Sequence, residues 1–120
     1  MLESVVIHNK QDFILAEYCG PFTLNGAEGT IDRILESMST AIARPVLVDC
    51  RQMTGNLSLV DRFQTVLYGR RMIGRVSKLA IVRSLERQSA DRFVETVAWN
   101  WGVRVQLFAD IDEAIAWLKS

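Results

Sequence analysis

Short apolar runs rich in β-branched residues alternate along this chain with segments whose apolar residues recur every three or four positions. That alternation restricts the fold more than any other feature. Val46-Leu47-Val48-Asp49 and Leu79-Ala80-Ile81-Val82 are continuous apolar runs, the pattern of strands buried on both faces in a parallel sheet. Val5-Val6-Ile7 and Phe13-Ile14-Leu15-Ala16 flank the polar stretch His8 to Asp12 and predict a hairpin. Gly20-Pro21 ends its second strand, because proline cannot continue a ladder. Val103 to Phe108 is the last strand.

Between the runs the period changes to that of a helix. Leu24, Ala27, Ile31, Ile34, Leu35 and Met38 mark one helical face. Thr23 is its N-cap, Gly26 and Gly29 weaken its first turns, and it stops by Ala43, because Arg44 precedes Pro45. Ser58 opens a second helix with Asp61 three residues on; its apolar face is Leu59, Val60, Phe63, Val66 and Leu67. Ala90, Phe93, Val94, Val97, Ala98 and Trp101 predict a third, closed by Gly102. Asp110 with Glu113 starts a fourth, whose face is Ile111, Ala114, Ile115 and Leu118. The expected order is ββαβαβαβα: an α/β fold with a five-stranded, mostly parallel mixed sheet and four helices.

At 120 residues, 49% hydrophobic and 23% charged, the chain suits one domain over residues 1–120 and excludes disorder. Fourteen Lys and Arg balance fourteen Asp and Glu, which argues against nucleic acid as a partner. No basic leader and no long apolar run is present, so a cytoplasmic protein without a membrane span is expected, its two cysteines reduced.

Asp49, Arg51, Thr54 and Asn56 gather past the carboxyl end of a buried strand, where open α/β sheets tend to bind ligands. The loop, which leads to Ser58, is a candidate ligand or switch site; the competing reading is loop hydrogen bonding with an Asp49–Arg51 surface pair. It lacks the glycines and lysine of a phosphate-binding loop. His8 is the sole histidine, read as a solvated turn residue, and Cys19 and Cys50 are read as buried and inert. No catalytic constellation, metal site or cofactor motif is found. Residues 62–85 carry six cations and no acid, so the rest of the chain holds a compensating −6. Tyr68, Arg70, Arg71, Arg75 and Lys78 form a candidate basic patch for an acidic partner protein, an anionic ligand or a second copy, against the alternative of a merely solvated face. Trp99 lies off the stripe of its helix, and with the apolar late helices this predicts a homodimer.

Three stretches carry a resemblance. Val46-Leu47-Val48-Asp49-Cys50-Arg51 with Met53-Thr54-Gly55, then Ser58-Leu59-Val60-Asp61-Arg62-Phe63, and Val97 to Trp117 are similar to the SpoIIAA-like family of the STAS-like fold, related to anti-sigma-factor antagonists. The resemblance covers essentially the whole chain. It implies a small cytoplasmic bacterial domain without assigned catalysis, sharing its fold with phospho-switched protein-binding modules and with lipid-binding pockets. The antagonists' phosphorylated serine follows an aspartate. Here Leu57 precedes Ser58, and Leu59 and Val60 replace the small residues after it, so Ser58 is read as a cap rather than a switch. The expected function is a non-enzymatic interaction or regulatory module. The alternative is a carrier of a lipid or small apolar ligand, which would need an enclosed cavity of about 300 Å³ or more.

Overall fold

The computed structural model describes residues 3–38, 42–84 and 104–120. Strands β1 (Ser4–Asn9), β2 (Ile14–Pro21), β3 (Arg44–Thr54), β4 (Val76–Val82) and β5 (Arg104–Phe108) lie side by side in chain order. β1 pairs antiparallel with β2, and every other pairing is parallel. Helix α1 (Leu24–Glu36) crosses from β2 to β3, and α2 (Leu59–Tyr68) with the 3₁₀ turn Gly69–Met72 crosses from β3 to β4. Helix α3 (Ile111–Lys119) follows β5. These are the α-helices among the described residues; the helix expected over Ala90 to Trp101 lies outside them, as do Trp99 and Gly102.

Alternation along the strands divides the core into two layers. Ile14, Ala16, Val46, Leu79 and Val105 pack with Ile34 and Met38 from the α1 side. Leu47, Ala80, Val82 and Phe108 pack with Ala114 and Leu118 of α3. Phe108 also meets the Trp117 ring at 5.6 Å between centroids. β3 is central, as its apolar run requires, and Val46 and Leu47 are fully buried against opposite layers.

Local chemistry fixes the helix ends. Thr23 Oγ1 accepts from the Gly26 amide at 2.9 Å, and Asp110 Oδ1 accepts from the Asp112 amide at 3.0 Å. At the outer edge of the sheet, the Arg33 guanidinium donates to the Val5 carbonyl of β1.

Several boundaries differ from the sequence reading. β3 extends through Thr54, where a polar connection from Arg51 was expected, because pairing with β2 continues to Pro21 opposite Thr54. Cys50 and Met53 turn inward towards Tyr18 while Arg51, Gln52 and Thr54 face solvent. The reading missed this because Cys50 and Met53 are three residues apart, without the alternation of a regular strand, and the pairing with β2 shifts register between Glu17 and Cys19. α1 stops by Ala43 as expected, but Met38 of its expected face falls past its end: Ser37 caps the helix, its hydroxyl donating to the Ile34 carbonyl at 2.7 Å. His8 belongs to β1 opposite Leu15 rather than to the turn, its Nε2 3.3 Å from the Glu17 carboxylate. Cys19 is exposed, because β2 turns it away from the packed layer; Cys50 is buried.

Gly26 and Gly29 have opposite roles although both sit in α1. A Cβ on Gly26 would lie 2.1 Å from the Tyr18 hydroxyl, whereas one on Gly29 meets nothing within 4 Å. Gly26→Ala should therefore cost about 1–3 kcal/mol despite alanine's better helix propensity. Gly29→Ala should gain about 0.5–1 kcal/mol. Urea unfolding of the two variants checks both signs.

Candidate functional site

Beneath α2, between α1 and the sheet, lies a cavity of about 140 Å³, partly open to solvent. Its walls are apolar: Ile31 and Ile34 from α1, Val66 from α2, and Val48, Met53 and Leu79 from the strands. Arg83 reaches it from the end of β4 and is 2% exposed. A buried guanidinium is retained only where hydrogen bonds compensate its lost hydration. Arg83 Nη2 donates to the Gly55 carbonyl at 2.8 Å and to Asn56 Oδ1 at 2.9 Å, tying β4 to the loop that leads into α2. Phe22 lies against the guanidinium, 5.9 Å from its ring centroid. The sequence reading counted Arg83 only as one of the segment's charges. The available signal was its place directly after a buried apolar strand, where a cation must find partners from another element.

The candidate loop divides into separate roles. Asp49 and Arg51 pair with each other, Arg51 Nε and Nη2 donating to the carboxylate at 2.9 and 2.8 Å. Burial pushes the Asp49 carboxyl up, but the hydrogen bonds and charge of Arg51 outweigh it and hold the group below its ordinary 3.8. Asn56 serves Arg83, and Thr54 is exposed at the end of β3. Ser58 caps α2, its Oγ accepting from the Asp61 amide at 3.1 Å.

The basic segment is likewise divided by its anchors. Tyr68 donates to Asp32 on α1 at 2.7 Å, and Arg71 stacks over the Tyr68 ring at 4.2 Å. Arg75 Nη2 donates to the Leu35 carbonyl at 3.1 Å, at the end of α1. Lys78 Nζ binds the Trp117 and Ser120 carbonyls at 3.0 and 2.8 Å, at the end of α3. Arg75 and Lys78 thus neutralise helix C-termini, and the cations that stay exposed beside Tyr68 are Arg70 and Arg71.

The apolar face expected to bury α2 does so only through Val66. Leu59 is 64% exposed, Val60 68% and Leu67 41%, and Phe63 is 52% exposed beside them. α2 is held by α1 and by the turn after it rather than spread over the sheet, so its outer face points to solvent. Among the described residues no group of three or more His, Cys, Asp and Glu is placed to hold a metal, and no helix is long and apolar enough to cross a membrane.

Two solved structures share this architecture. One, from Shewanella loihica PV-4, is a DUF3478-family protein with a SpoIIAA-like fold. It is 24% identical over 97% of this chain and 93% of its own, with a TM-score of 0.64. The chain has the SpoIIAA-like fold. An anti-sigma factor antagonist from Mycobacterium paratuberculosis shares that fold at 10% identity, covering 99% of this chain and 96% of its own with a TM-score of 0.66. No protein-family model matches the sequence, and no curated protein does. The SpoIIAA-like resemblance drawn from three stretches of sequence therefore holds at the level of the fold.

Two outcomes test the loop of this SpoIIAA-like domain. Ser58→Ala should lower stability by about 1 kcal/mol while Ser58→Asp keeps it, since aspartate caps equally well; thermal unfolding of both variants distinguishes a cap from an idle hydroxyl. The Asp49 contribution is complete above the unfolded carboxyl's pKa and is lost as pH falls through the depressed folded value. Wild type should therefore be more stable than Asp49→Asn at pH 7, and the gap should close from about pH 5 downward, as read from urea midpoints across that range.

Proposed function

We propose that this chain is a non-enzymatic, cytoplasmic interaction module that docks a protein partner through the outer face of α2. The observation that carries the reading is the exposure of Leu59, Val60 and Leu67 on one helix otherwise anchored from its inner side. Contiguous exposed apolar side chains mark interaction sites. Arg70 and Arg71 continue the face past the helix end, and aromatic and arginine side chains are enriched at interfaces. The partner that fits has an apolar centre and an acidic rim. The antagonist neighbour, named for its opposition to an anti-sigma factor, supports a protein as the occupant.

The carrier reading is less favoured. Pockets for drug-sized ligands start at about 300 Å³, and the cavity here measures about 140 Å³.

The test places a photo-crosslinking residue at Leu67 and compares otherwise wild-type protein with Leu59→Glu/Val60→Glu in cells of the source organism. Both added acids lie in the first turn of α2, where negative charge is compatible with the helix dipole, so the fold and melting temperature should be unchanged. A single predominant crosslinked protein, lost at least tenfold in the double variant, is the expected result. The same crosslinks from both proteins overturn the proposal. A crosslink to a second copy, with a dimer in sedimentation that the double variant dissociates, overturns a distinct partner and makes the face a homodimer interface.

A further inference from the structure

We infer that the partner element seated on α2 is itself a helix, lying antiparallel to α2 with an acidic first turn against Arg71. The inference rests on the protein-partner reading of this face and names the shape and charge that the partner brings to it.

Shape comes first. Leu59, Phe63 and Leu67 stand four residues apart and are all exposed, so they form one ridge of large side chains along the outside of α2. A ridge with this spacing fits the grooves between the side-chain rows of another helix. An extended segment offers no such groove. The exposed row continues past the helix end, because Arg71 is the next residue in the count and Ile73 follows it, both exposed. Helices that cross steeply part company within about two turns, so a row of this length is best covered by a partner crossing at about 20°.

Charge then sets the direction. Arg71 lies over the Tyr68 ring at 4.2 Å, and the ring is fixed by its hydroxyl, which donates to Asp32 at 2.7 Å. The stack orders the guanidinium through its face and leaves its N–H edges for another group. Among the described residues no carboxylate lies within ion-pair distance of Arg71. A planar guanidinium held in this way takes a carboxylate through two parallel hydrogen bonds. Acidic residues are favoured in the first turn of a helix, where they offset the positive end of its dipole, and cations in the last turn. An antiparallel partner brings its first turn to Arg71; a parallel one would bring its last.

The experiment uses the full chain in cells of the source organism, with a photo-crosslinking residue at Leu59 in one preparation and at Leu67 in another. Attachment sites are mapped by peptide mass spectrometry. Leu67 lies eight residues beyond Leu59, about 12 Å along a helix at ~1.5 Å per residue, a distance that an extended strand covers in about four residues. The expected result is two sites in one segment of one protein, about eight residues apart, with the Leu67 site nearer the segment's N-terminus. Arg71→Glu should leave the melting temperature unchanged and reduce the adduct at least tenfold, Arg71→Lys should reduce it less, and arginine in place of the acid in the mapped first turn should restore it with Arg71→Glu. Sites five residues or fewer apart, sites in reverse order or in separate segments, or an adduct indifferent to Arg71→Glu overturn the inference and leave the partner reading standing. No adduct, a crosslink to a second copy, or a Leu67 crosslink that survives Leu59→Glu/Val60→Glu overturns both.

Discussion

β3 has a hydrogen-bonded strand on each side and a packed layer on each face, and the rest of the molecule is arranged around that enclosure. Because its neighbours run parallel to it, each connection must cross the sheet, so α1 and α2 are obliged to travel over it. Val46 and Leu47 then bind the two layers into one core. The strand outlasts its apolar run because β2 pairs with it as far as Thr54. This carries the polar residues Arg51 and Thr54 to the rim, where the loop to α2 begins.

That loop has a fixed position because a buried cation holds it. Arg83, directly after β4, reaches across to Gly55 and Asn56, and two residues later Ser58 caps α2. The helix is thus fixed at its N-terminus by the loop and near its C-terminus by Tyr68 on Asp32. Supported at both ends, it needs little burial along its length. Val66 covers the cavity from above while Leu59, Val60 and Leu67 face outward. An apolar inside and an apolar outside on one short helix are therefore two results of the same suspension.

The strand order and the helix starts were readable because they depend on local chemistry. Apolar runs gave the central strands, and Thr23, Ser58 and Asp110 each cap the helix they precede. What escaped the sequence depends on contacts between distant elements. Leu59 and Val60 have helical spacing whether they face a sheet or water, so periodicity alone assigned them to the core. Arg75 and Lys78 read as a patch with Arg70 and Arg71 because nothing local shows that the ends of α1 and α3 will lie beside them. Gly26 read as a weak point, although Tyr18 from the neighbouring strand occupies the space a side chain would need. Of the candidate loop, the Asp49–Arg51 pair and the Ser58 cap were legible; the service of Asn56 to Arg83 was not.

The Arg33 guanidinium on the Val5 carbonyl has a consequence for behaviour at high concentration. An outermost strand offers a row of backbone groups to any other extended chain, the usual route to open-ended polymerisation. With one acceptor of β1 already engaged by a long cationic side chain, an incoming strand would have to displace a charged, bidentate-capable group before its own ladder could form. The sheet is thereby discouraged from growing through β1, one of its two edges.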